Sequence, residues 1–328
     1  MDEFELIGRY FARAGAERAD VELGVGDDAA LLRVPQGEEL VAAVDTLVEG
    51  RHFPAGTDAR SIGHRALAVN LSDIAAMGAA PAWATLALTL PRADAEWLDA
   101  FARGFGELAS AHGVSLVGGD TTAGPLTISV QILGHVPRGS ALRRGGGKAG
   151  DLLAVTGTLG DAGAGLALAT GALRTKDSDA ARELERRFEY PTPRVGFGMA
   201  ARGIASAAMD LSDGLVGDLP KLAAACSLGA VVEVERLPIS RALRAATDPE
   251  QSRSWALGAG DDYELLIAVA PERFGALAAR ADQLNLRLTP IGELCRGNAV
   301  TWTLRGAEFE PSVGGFDHFR RASTQITV

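Results

Sequence analysis

Aspartates next to glycine, serine or threonine recur along this sequence, each beside a strongly apolar run. The segments that share this pattern are GVGDDAALL (24–32), AVDTLVEG (43–50), NLSDIAAMG (70–78), VGGDTTAG (117–124), MDLSDGLVGD (209–218) and GAGDDYELL (258–266). Carboxylates that are brought close together repel one another unless they are protonated or neutralised by a cation. Aspartate also favours turns and helix caps, so any one of these segments is more typical of an ordinary turn. For the whole set, a cation-binding cluster and a series of turns are equally good explanations.

The types of the neighbouring residues indicate which cation such a cluster would bind. Zinc is disfavoured because the sequence has no paired-histidine or Cys-x-x-Cys spacing, and Cys226 and Cys295 stand alone. A calcium loop of the EF-hand type is absent from the sequence. Oxygen ligands on separate loops suit Mg²⁺, which keeps some of its waters and shares its coordination shell with substrate phosphates. The pattern therefore predicts phosphate chemistry that is reached through bound Mg²⁺.

Common nucleotide-binding motifs do not fit the sequence. The stretch GVGDDA matches G-x-G-x-x-A, but only DDAALLRV follows its second glycine before Pro35 and a turn, which is too short for the helix that a dinucleotide-binding loop must open. The stretch RRGGGKAG (143–150) has the lysine of a Walker loop, but Ala149 follows it where serine or threonine is needed. The protein-kinase motifs are also missing. A phosphotransferase with this sequence therefore belongs to neither common class.

Composition narrows the class of protein further. The chain of 328 residues is 47% hydrophobic and 23% charged, which is typical of a globular protein with one large or two ordinary domains. Its formal net charge of −10 disfavours nucleic acid as a partner, because phosphate backbones are bound by clustered lysine and arginine. The acidic start MDEFELIGRY is unlike a signal peptide, and no apolar run of membrane-spanning length occurs. We therefore expect a cytoplasmic protein with no membrane partner.

Predicted strands and helices alternate in the first part of the chain and carry several of the aspartates. The predicted strand 39–48 contains Asp45, and the predicted helix 58–79 contains Asp73. The other elements predicted in this part are a strand at 82–90, an amphipathic helix at 93–113, and β-rich segments at 114–120 and 126–136.

The glycine-rich segment 137–151 has few large apolar residues and is the predicted domain boundary. We expect an N-terminal domain at 1–137, a connecting segment at 138–150 and a C-terminal domain at 151–328. The elements predicted beyond the boundary are strands at 151–157, 229–235 and 264–270 and helices near 194–207 and 214–226. Runs of strands beside segregated helices favour an α+β fold over a doubly wound sheet.

Taken together, the motifs carry a resemblance to a known family. The matching stretches, in order, are GVGDDAALL, VDTLVEGRHF, ALAVNLSDIAAMGAAPAWATLALTLP, GGDTTAGPLTISVQILGHV, GDLLAVTGTLGDAGAGLALA, MDLSDGLVGDL and GAGDDYELL. With this order and spacing, the sequence resembles the thiamine-monophosphate kinase family, which falls in the aminoimidazole-ribonucleotide-synthetase-like superfamily of ATP-using enzymes. The resemblance runs from the N-terminus to FDHF (316–319).

The resemblance implies both a fold and an activity. It implies an N-terminal α+β domain whose sheet pairs with its twin across a homodimer, followed by a C-terminal α+β domain. The implied reaction is direct transfer of the γ-phosphoryl group of ATP to thiamine monophosphate, which gives thiamine diphosphate and uses several Mg²⁺ ions. Because the attacking oxygen belongs to a phosphate that is largely ionised at neutral pH, we assign no general base.

The resemblance also assigns roles to residues of this sequence. The positions that match Mg²⁺ ligands are Asp28, Asp45, Asp73, Asp120, Asp210 and Asp213. The positions that match ATP contacts are Gly119, Asp120, Arg144 and Ser212. The positions assigned to substrate binding are His52, Asp261 and Phe316.

This chain departs from the family pattern at three places. Many members carry serine or threonine before the Asp45 position, where this chain has Ala43 and Val44. Asp261 replaces a glutamate of the motif GGEDYEL and keeps its charge. Val313 aligns with an aromatic residue that flanks the thiamine ring in relatives, and Phe316 is the predicted replacement.

Alternative interpretations stay open at this point. Another enzyme of the same superfamily would activate an amide, formate-derived or selenide substrate, although selenophosphate synthetases usually have an N-terminal Cys or selenocysteine segment that is missing here. A regulator that binds nucleotide or metal without catalysis is a different class. The glycine-rich stretch GTLGDAGAG (157–165) would serve equally well as an anion site at a helix start or as a tight turn. Arg143 and Arg144 fit either a solvated linker or a clamp that closes on ATP.

Overall fold

A four-stranded sheet organises the first part of the chain. In this computed structural model, which describes residues 3–12 and 14–316, the chain divides into two units. The first unit contains the residues up to Ile74 together with Ala79–Gly139, and the second contains Ala75–Gly78 together with the residues from Ser140 onward. Of the segment FDHF, only Phe316 lies within the described residues.

The strands of the first unit form two sheets. The elements of this part of the chain are α1 (Glu3–Tyr10), β1 (Val21–Leu23), β2 (Leu31–Leu32), β3 (Glu38–Val48), α2 (Ala59–Ala76), β4 (Ala80–Leu90), α3 (Ala95–Ala111), β5 (Ser115–Ala123) and β6 (Thr127–Pro137). The main sheet has the order β3-β6-β4-β5, in which β4 and β5 are parallel and the other two pairs are antiparallel. β1 and β2 form a separate antiparallel ribbon. The strands and helices predicted for this part are confirmed.

The structure shortens one predicted helix of the first unit and bears on the excluded dinucleotide motif. The helix predicted to reach residue 79 ends at Ala76, because Gly78 has a φ of +64° and turns the chain into β4. After the GVGDD loop the chain enters the short strand β2, without a helix. The exclusion of a dinucleotide-binding loop is therefore confirmed, since that motif requires a helix at this point.

The second unit is built on a seven-stranded sheet. Its elements are β7 (Leu152–Thr156), α4 (Asp161–Ala169), α5 (Ser178–Glu189), α6 (Val195–Ala201), β8 (Ala207–Leu211), α7 (Leu215–Ala225), β9 (Gly229–Glu233), α8 (Arg241–Ala246), α9 (Pro249–Gly258), β10 (Glu264–Val269), α10 (Pro271–Gln283), β11 (Leu288–Cys295), β12 (Val300–Leu304) and β13 (Ala307–Phe309). The strand order is β13-β12-β9-β11-β7-β10-β8, with β9 and β12 parallel and the other neighbours antiparallel. The predicted α+β class is confirmed. None of the helices in the described part of the chain combines the length and apolarity that crossing a membrane requires.

One prediction for the second unit is wrong. The helix expected near 194–207 is the shorter α6, which ends at Ala201, and the strand β8 follows. Gly203, with a φ of +68°, lies where the helix has stopped. Every residue of β8 is buried. A strand that is buried on both faces lacks the alternation of polar and apolar residues that identifies a half-buried strand.

The glycine-rich segment is packed against the second unit from Ser140 onward. The Ala208 N–H donates to the carbonyl of Arg143 at 3.1 Å, beside the short 3₁₀ turn Arg144–Gly146. A Cβ at Gly146 would lie 1.9 Å from the carbonyl oxygen of Ser206, so only glycine fits there. Arg144 thus starts from a backbone that β8 holds in place, while its side chain is exposed.

α2 and α3 approach each other closely at two glycines of the first unit. A Cβ at Gly63 would lie 2.1 Å from the carbonyl oxygen of Phe101, and a Cβ at Gly104 would lie 1.9 Å from that of Arg60. Because these neighbours are backbone atoms, they cannot move aside as a flexible side chain would. The contact sets the position of α2, the helix that carries Asp73.

We predict that Gly104→Ala lowers the free energy of unfolding by about 1–3 kcal/mol, because the added methyl group overpacks the contact between α2 and α3. Gly106→Ala on the same helix is the matched control, since its nearest atom beyond the helix is 3.8 Å from the added Cβ. There alanine leaves stability unchanged or raises it by up to about 1 kcal/mol. Urea denaturation followed by circular dichroism measures both changes, and equal effects at the two positions would contradict the packing account.

Candidate active site

Asp45 of β3 is held by a buried asparagine of α2. The Asp45 N–H donates to Asn70 Oδ1 at 3.1 Å, and Asn70 Nδ2 donates to the carbonyl of Ala66 at 2.9 Å. Asn70 is fully buried. Asp73 follows Asn70 by one helical turn, so the two lie on neighbouring positions of one helix face. Asn70 was not among the predicted site residues; the only signal in the sequence is a polar side chain within an apolar helix.

Sheet register separates Asp45 from Asp120. Asp45 lies in a row of paired residues that includes Val130 and Leu86, both buried. Asp120 pairs with Ala87, which is exposed and lies in the next row. Because consecutive rows point to opposite faces of a sheet, Asp45 and Asp120 face opposite sides. The sheet alone therefore does not bring these two predicted ligands together.

Gly119 lies where two strands approach closely, and Asp28 lies in a turn. Gly119 has a φ of +150°, and a Cβ there would lie 1.9 Å from the carbonyl oxygen of Leu86, so β5 requires glycine at this position. Asp28 is exposed, and its N–H donates to Asp27 Oδ1 at 2.8 Å in the turn after Gly26. Asp27 therefore shapes the turn and Asp28 presents its carboxylate on it.

His52 lies in a turn that fixes its tautomer. The ring Nδ1 of His52 accepts the backbone N–H of Val48 at 2.9 Å, and the backbone N–H of His52 donates to the carbonyl of Val48 at 2.9 Å. Because Nδ1 is an acceptor, the proton of the neutral ring lies on Nε2. Nε2 is therefore the donor nitrogen of the ring, and His52 is half-buried.

The loop after β8 is held by a buried aspartate. Asp218 Oδ2 accepts the N–H groups of Ser212 at 3.0 Å and of Asp213 at 2.9 Å. Lys221 Nζ donates to Asp213 Oδ2 at 2.6 Å and to Asp218 Oδ1 at 2.8 Å. Burial raises the pKa of Asp218, against the hydrogen bond from Lys221, which lowers it. The Asp213 carboxylate thus already has an ammonium partner, whereas Asp210 lies buried in β8.

Two further segments meet this loop in the second unit. The Asp261 N–H donates to the carbonyl of Ser212 at 2.9 Å, and the Phe316 N–H donates to the carbonyl of Asp213 at 2.9 Å. The structure therefore brings together the predicted residues Ser212, Asp213, Asp261 and Phe316 at the end of β8. Val313 packs against the core of the second unit, whereas Phe316 remains half-buried.

The Asp262 carboxylate binds at the start of α4, where the stretch GTLGDAGAG fitted either an anion site or a tight turn. Its Oδ2 accepts the Gly160 N–H at 2.6 Å, and its Oδ1 accepts the Ala162 N–H at 3.2 Å. Burial, and then the charge of Asp161, raise the pKa of Asp262 well above its ordinary value. The first amides of α4 are thus bonded to the protein's own carboxylate, and the stretch GTLGDAGAG is a capped turn.

Glu264 lies two residues further on and is fully buried between two arginines. Arg187 donates to its Oε1 at 2.8 Å, and Arg194 Nε donates to its Oε2 at 2.6 Å. The Thr156 hydroxyl donates to Oε2 at 2.7 Å. Burial raises the pKa of Glu264, but the charges and hydrogen bonds of Arg194 and Arg187 outweigh this effect, so the pKa is lowered. None of these partners was predicted from the sequence.

The carboxylates of the candidate site fit Mg²⁺ by their chemistry. Among the described residues, no three His, Cys, Asp or Glu side chains form a group that could hold a metal ion by themselves. Asp28 and Asp120 are exposed, and Asp45 and Asp73 are partly exposed. Mg²⁺ typically takes one or two carboxylates and completes its shell with waters and substrate phosphates. The donor set is therefore suitable for Mg²⁺ that arrives with a nucleotide.

Comparison with known proteins defines the class first. The model for the N-terminal domain of AIR synthase related proteins matches residues 26–136, and the model for the C-terminal domain matches residues 148–304. The chain is therefore a two-domain AIR synthase related protein. It is similar to Thiamine-monophosphate kinase of Salmonella typhimurium, with 46% identity over 97% of this chain and 98% of that protein. The chain belongs to the thiamine-monophosphate kinase family.

Solved structures agree with this assignment. The crystal structure of Thiamine-monophosphate kinase from Stenotrophomonas maltophilia has a TM-score of 0.84 and 47% identity, covering 89% of this chain and 93% of that one. The structure of AaThiL complexed with AMPPCP and TMP has a TM-score of 0.77 and 31% identity, covering 90% of this chain and 92% of that one. The predictions of this family and of an enzyme are confirmed; the residue roles stay predictions.

We predict that Arg194→Met lowers the free energy of unfolding by about 3 kcal/mol, because it leaves the buried Glu264 with one arginine. Arg182→Met is the control, since Arg182 is 74% exposed and pairs with Asp179 at the surface; it costs less than about 1 kcal/mol. Since the pKa of Glu264 is lowered, its pairing adds stability above the ordinary glutamate pKa and loses it as the pH falls through the folded-state value. Denaturation at pH 7 checks the difference, and similar losses for both variants would contradict it.

Proposed function

We propose that this protein transfers the γ-phosphoryl group of ATP to thiamine monophosphate in a Mg²⁺-dependent, in-line reaction that yields thiamine diphosphate. The observation that carries the proposal is the similarity, over nine-tenths of the chain, to AaThiL complexed with AMPPCP and TMP. AMPPCP is an analogue of ATP in which a methylene group replaces the β,γ-bridging oxygen. The similarity supports ATP as the donor and thiamine monophosphate as the acceptor.

In this mechanism the side chains of the protein position the two phosphate groups and take no covalent part in the transfer. The acceptor phosphate is largely ionised at neutral pH, so no side chain needs to remove a proton from it. His52 donates its Nε2–H to an anionic oxygen of the substrate and keeps this tautomer through its bond to the Val48 N–H. The carboxylates that would hold Mg²⁺ are Asp28, Asp45, Asp73, Asp120, Asp210 and Asp213. When bound, Mg²⁺ neutralises charge on the phosphate oxygens.

The end of β8 provides contacts to the organic part of the substrates. Asp261 provides a negative charge for the cationic thiazolium ring of thiamine. Phe316 provides an aromatic face beside the same ring. Ser212 contacts ATP in this proposal, together with Gly119, Asp120 and Arg144. The hydrogen bonds between these loops support a single binding region that contains Ser212, Asp261 and Phe316.

We also propose a cytoplasmic homodimer whose N-terminal sheets pair. β3 is an edge strand with apolar side chains in contact with solvent, Leu40 at 53% exposure and Val44 at 63%. Exposed apolar edges of this kind favour pairing with another strand. The domain limits remain 1–137 and 151–328 in this proposal, with the segment 138–150 between them.

We predict that Asp73→Asn lowers turnover on the order of 100-fold, because one carboxylate that would hold Mg²⁺ against the phosphates is lost. ADP release, measured with and without thiamine monophosphate over a Mg²⁺ titration, tests both the reaction and this role. Asp99→Asn is the control, since Asp99 is 57% exposed and pairs with Arg103 on α3. Near-normal turnover of Asp73→Asn at saturating Mg²⁺ would remove Asp73 from the site, and ADP release independent of thiamine monophosphate would contradict the proposed acceptor.

We predict that His52→Ala raises the KM for thiamine monophosphate about 10-fold and leaves the KM for ATP within about twofold, because a donor to a charged oxygen is lost. Steady-state kinetics with each substrate varied in turn measures the two constants. Equal increases in both would assign His52 to the shape of its turn and not to the substrate.

A further inference from the structure

The turn that carries Asp261 has an unusual backbone. Asp261 has a φ of +70° and Tyr263 a φ of +50°, in the left-handed region that residues with a Cβ seldom adopt. Such conformations persist where the surrounding structure enforces them, and they cluster at functional sites. Gly260, the residue before the turn, is itself confined, since a Cβ there would lie 2.4 Å from the carbonyl oxygen of Ser212.

Asp262 anchors the middle of this turn from inside the unit. Its carboxylate is bonded through both oxygens, one to the N–H of Gly160 and the other to that of Ala162. Gly160 caps α4 without a side-chain hydrogen bond of its own, so the cap comes from a residue about a hundred positions away in the chain. Only 5% of Asp262 is exposed. The anchor is therefore a long-range contact and not a local turn preference.

Tyr263 orients the neighbouring carboxylate on the other side of the turn. Its hydroxyl donates to Asp261 Oδ1 at 3.2 Å, and its N–H donates to the carbonyl of Leu211 at 2.9 Å. Tyr263 is 8% exposed, so the hydroxyl is held in place by packing around the ring. One residue of the turn thus points into the protein, and the next fixes the side chain proposed to meet substrate.

We propose that Asp262 and Tyr263 are positioning residues for substrate: Asp262 holds the strained turn by capping α4, and the Tyr263 hydroxyl sets the direction of the Asp261 carboxylate. This inference rests on the proposed function, which makes Asp261 a contact of thiamine monophosphate. In this proposal their effect reaches the substrate through Asp261.

The chemistry of the two side chains matters in different ways. The Asp262 carboxylate accepts two backbone N–H groups, one through each oxygen. Phenylalanine would fill the space of the Tyr263 ring. Asparagine at position 262 offers a single oxygen, so its amide NH₂ would face one of the two backbone N–H groups and leave that donor unpaired.

The substrate test combines Tyr263→Phe with Asp261→Asn. Tyr263→Phe raises the KM for thiamine monophosphate about 5-fold and leaves the KM for ATP within about twofold, without lowering thermal stability. Asp261→Asn raises the same KM by at least as much. In the double variant the Tyr263 change does not raise the KM for thiamine monophosphate further. A residue that acts through the Asp261 carboxylate has no effect once that carboxylate is replaced. Fully multiplicative effects would overturn the positioning role of Tyr263, and an unchanged KM in Asp261→Asn would overturn both this inference and the proposed contact.

Hydrogen exchange tests the anchor independently of catalysis. In ligand-free Asp262→Asn, the amides of 260–264 exchange at least about 10-fold faster than in the parent protein, because the turn loses one of its two bonds to α4. The matched control is Asp248→Asn, since Asp248 caps α9 through the N–H groups of Glu250 and Gln251 at 2.8 and 2.9 Å and is exposed. That variant leaves exchange at 260–264 and both KM values unchanged. Unaltered exchange in Asp262→Asn would overturn the anchoring role even if the kinase activity is established.

Discussion

A carboxylate removed from water must find hydrogen-bond donors inside the protein, and this constraint shapes the second unit. Asp262 and Glu264 are buried side by side at the start of β10, and their partners come from the turn before α4, from β7, from α5 and from the start of α6. Each partner segment is therefore fixed relative to β10. Because β10 pairs with β8, the loop that follows β8 is also held in place relative to β10.

Acidic residues in this protein divide into two groups by their partners. Asp218, Asp262 and Glu264 are buried and bonded to backbone amides, lysine or arginine, so these side chains serve the fold. Asp28 and Asp120 are exposed, and they remain available to a ligand. The two Gly-Asp-Asp stretches illustrate the division: in the first, Asp27 shapes a surface turn beside Asp28, and in the second, Asp262 is buried beside the partly exposed Asp261.

The sequence predicted the elements whose patterns are local. Residues 39–48 and 93–113 were identified from apolar runs and helical spacing, and the structure has β3 and α3 there. β8 was missed because its short run AAMDL begins with alanines, which favour a helix, whereas the equally buried β10 carries the apolar run LLIAV. The aspartates of the candidate site were identified by their glycine and serine neighbours. The roles of Asn70 and Asp262 were not predicted, since their partners lie 25 and about a hundred residues away in the chain and no local pattern identifies those contacts.

The fate of the transferred phosphoryl group tests the central claim most directly. With ATP labelled at the γ-phosphorus and thiamine monophosphate as acceptor, the account predicts one labelled product, thiamine diphosphate, formed in the same amount as ADP. Label released as inorganic phosphate, with thiamine monophosphate unchanged, would contradict direct transfer.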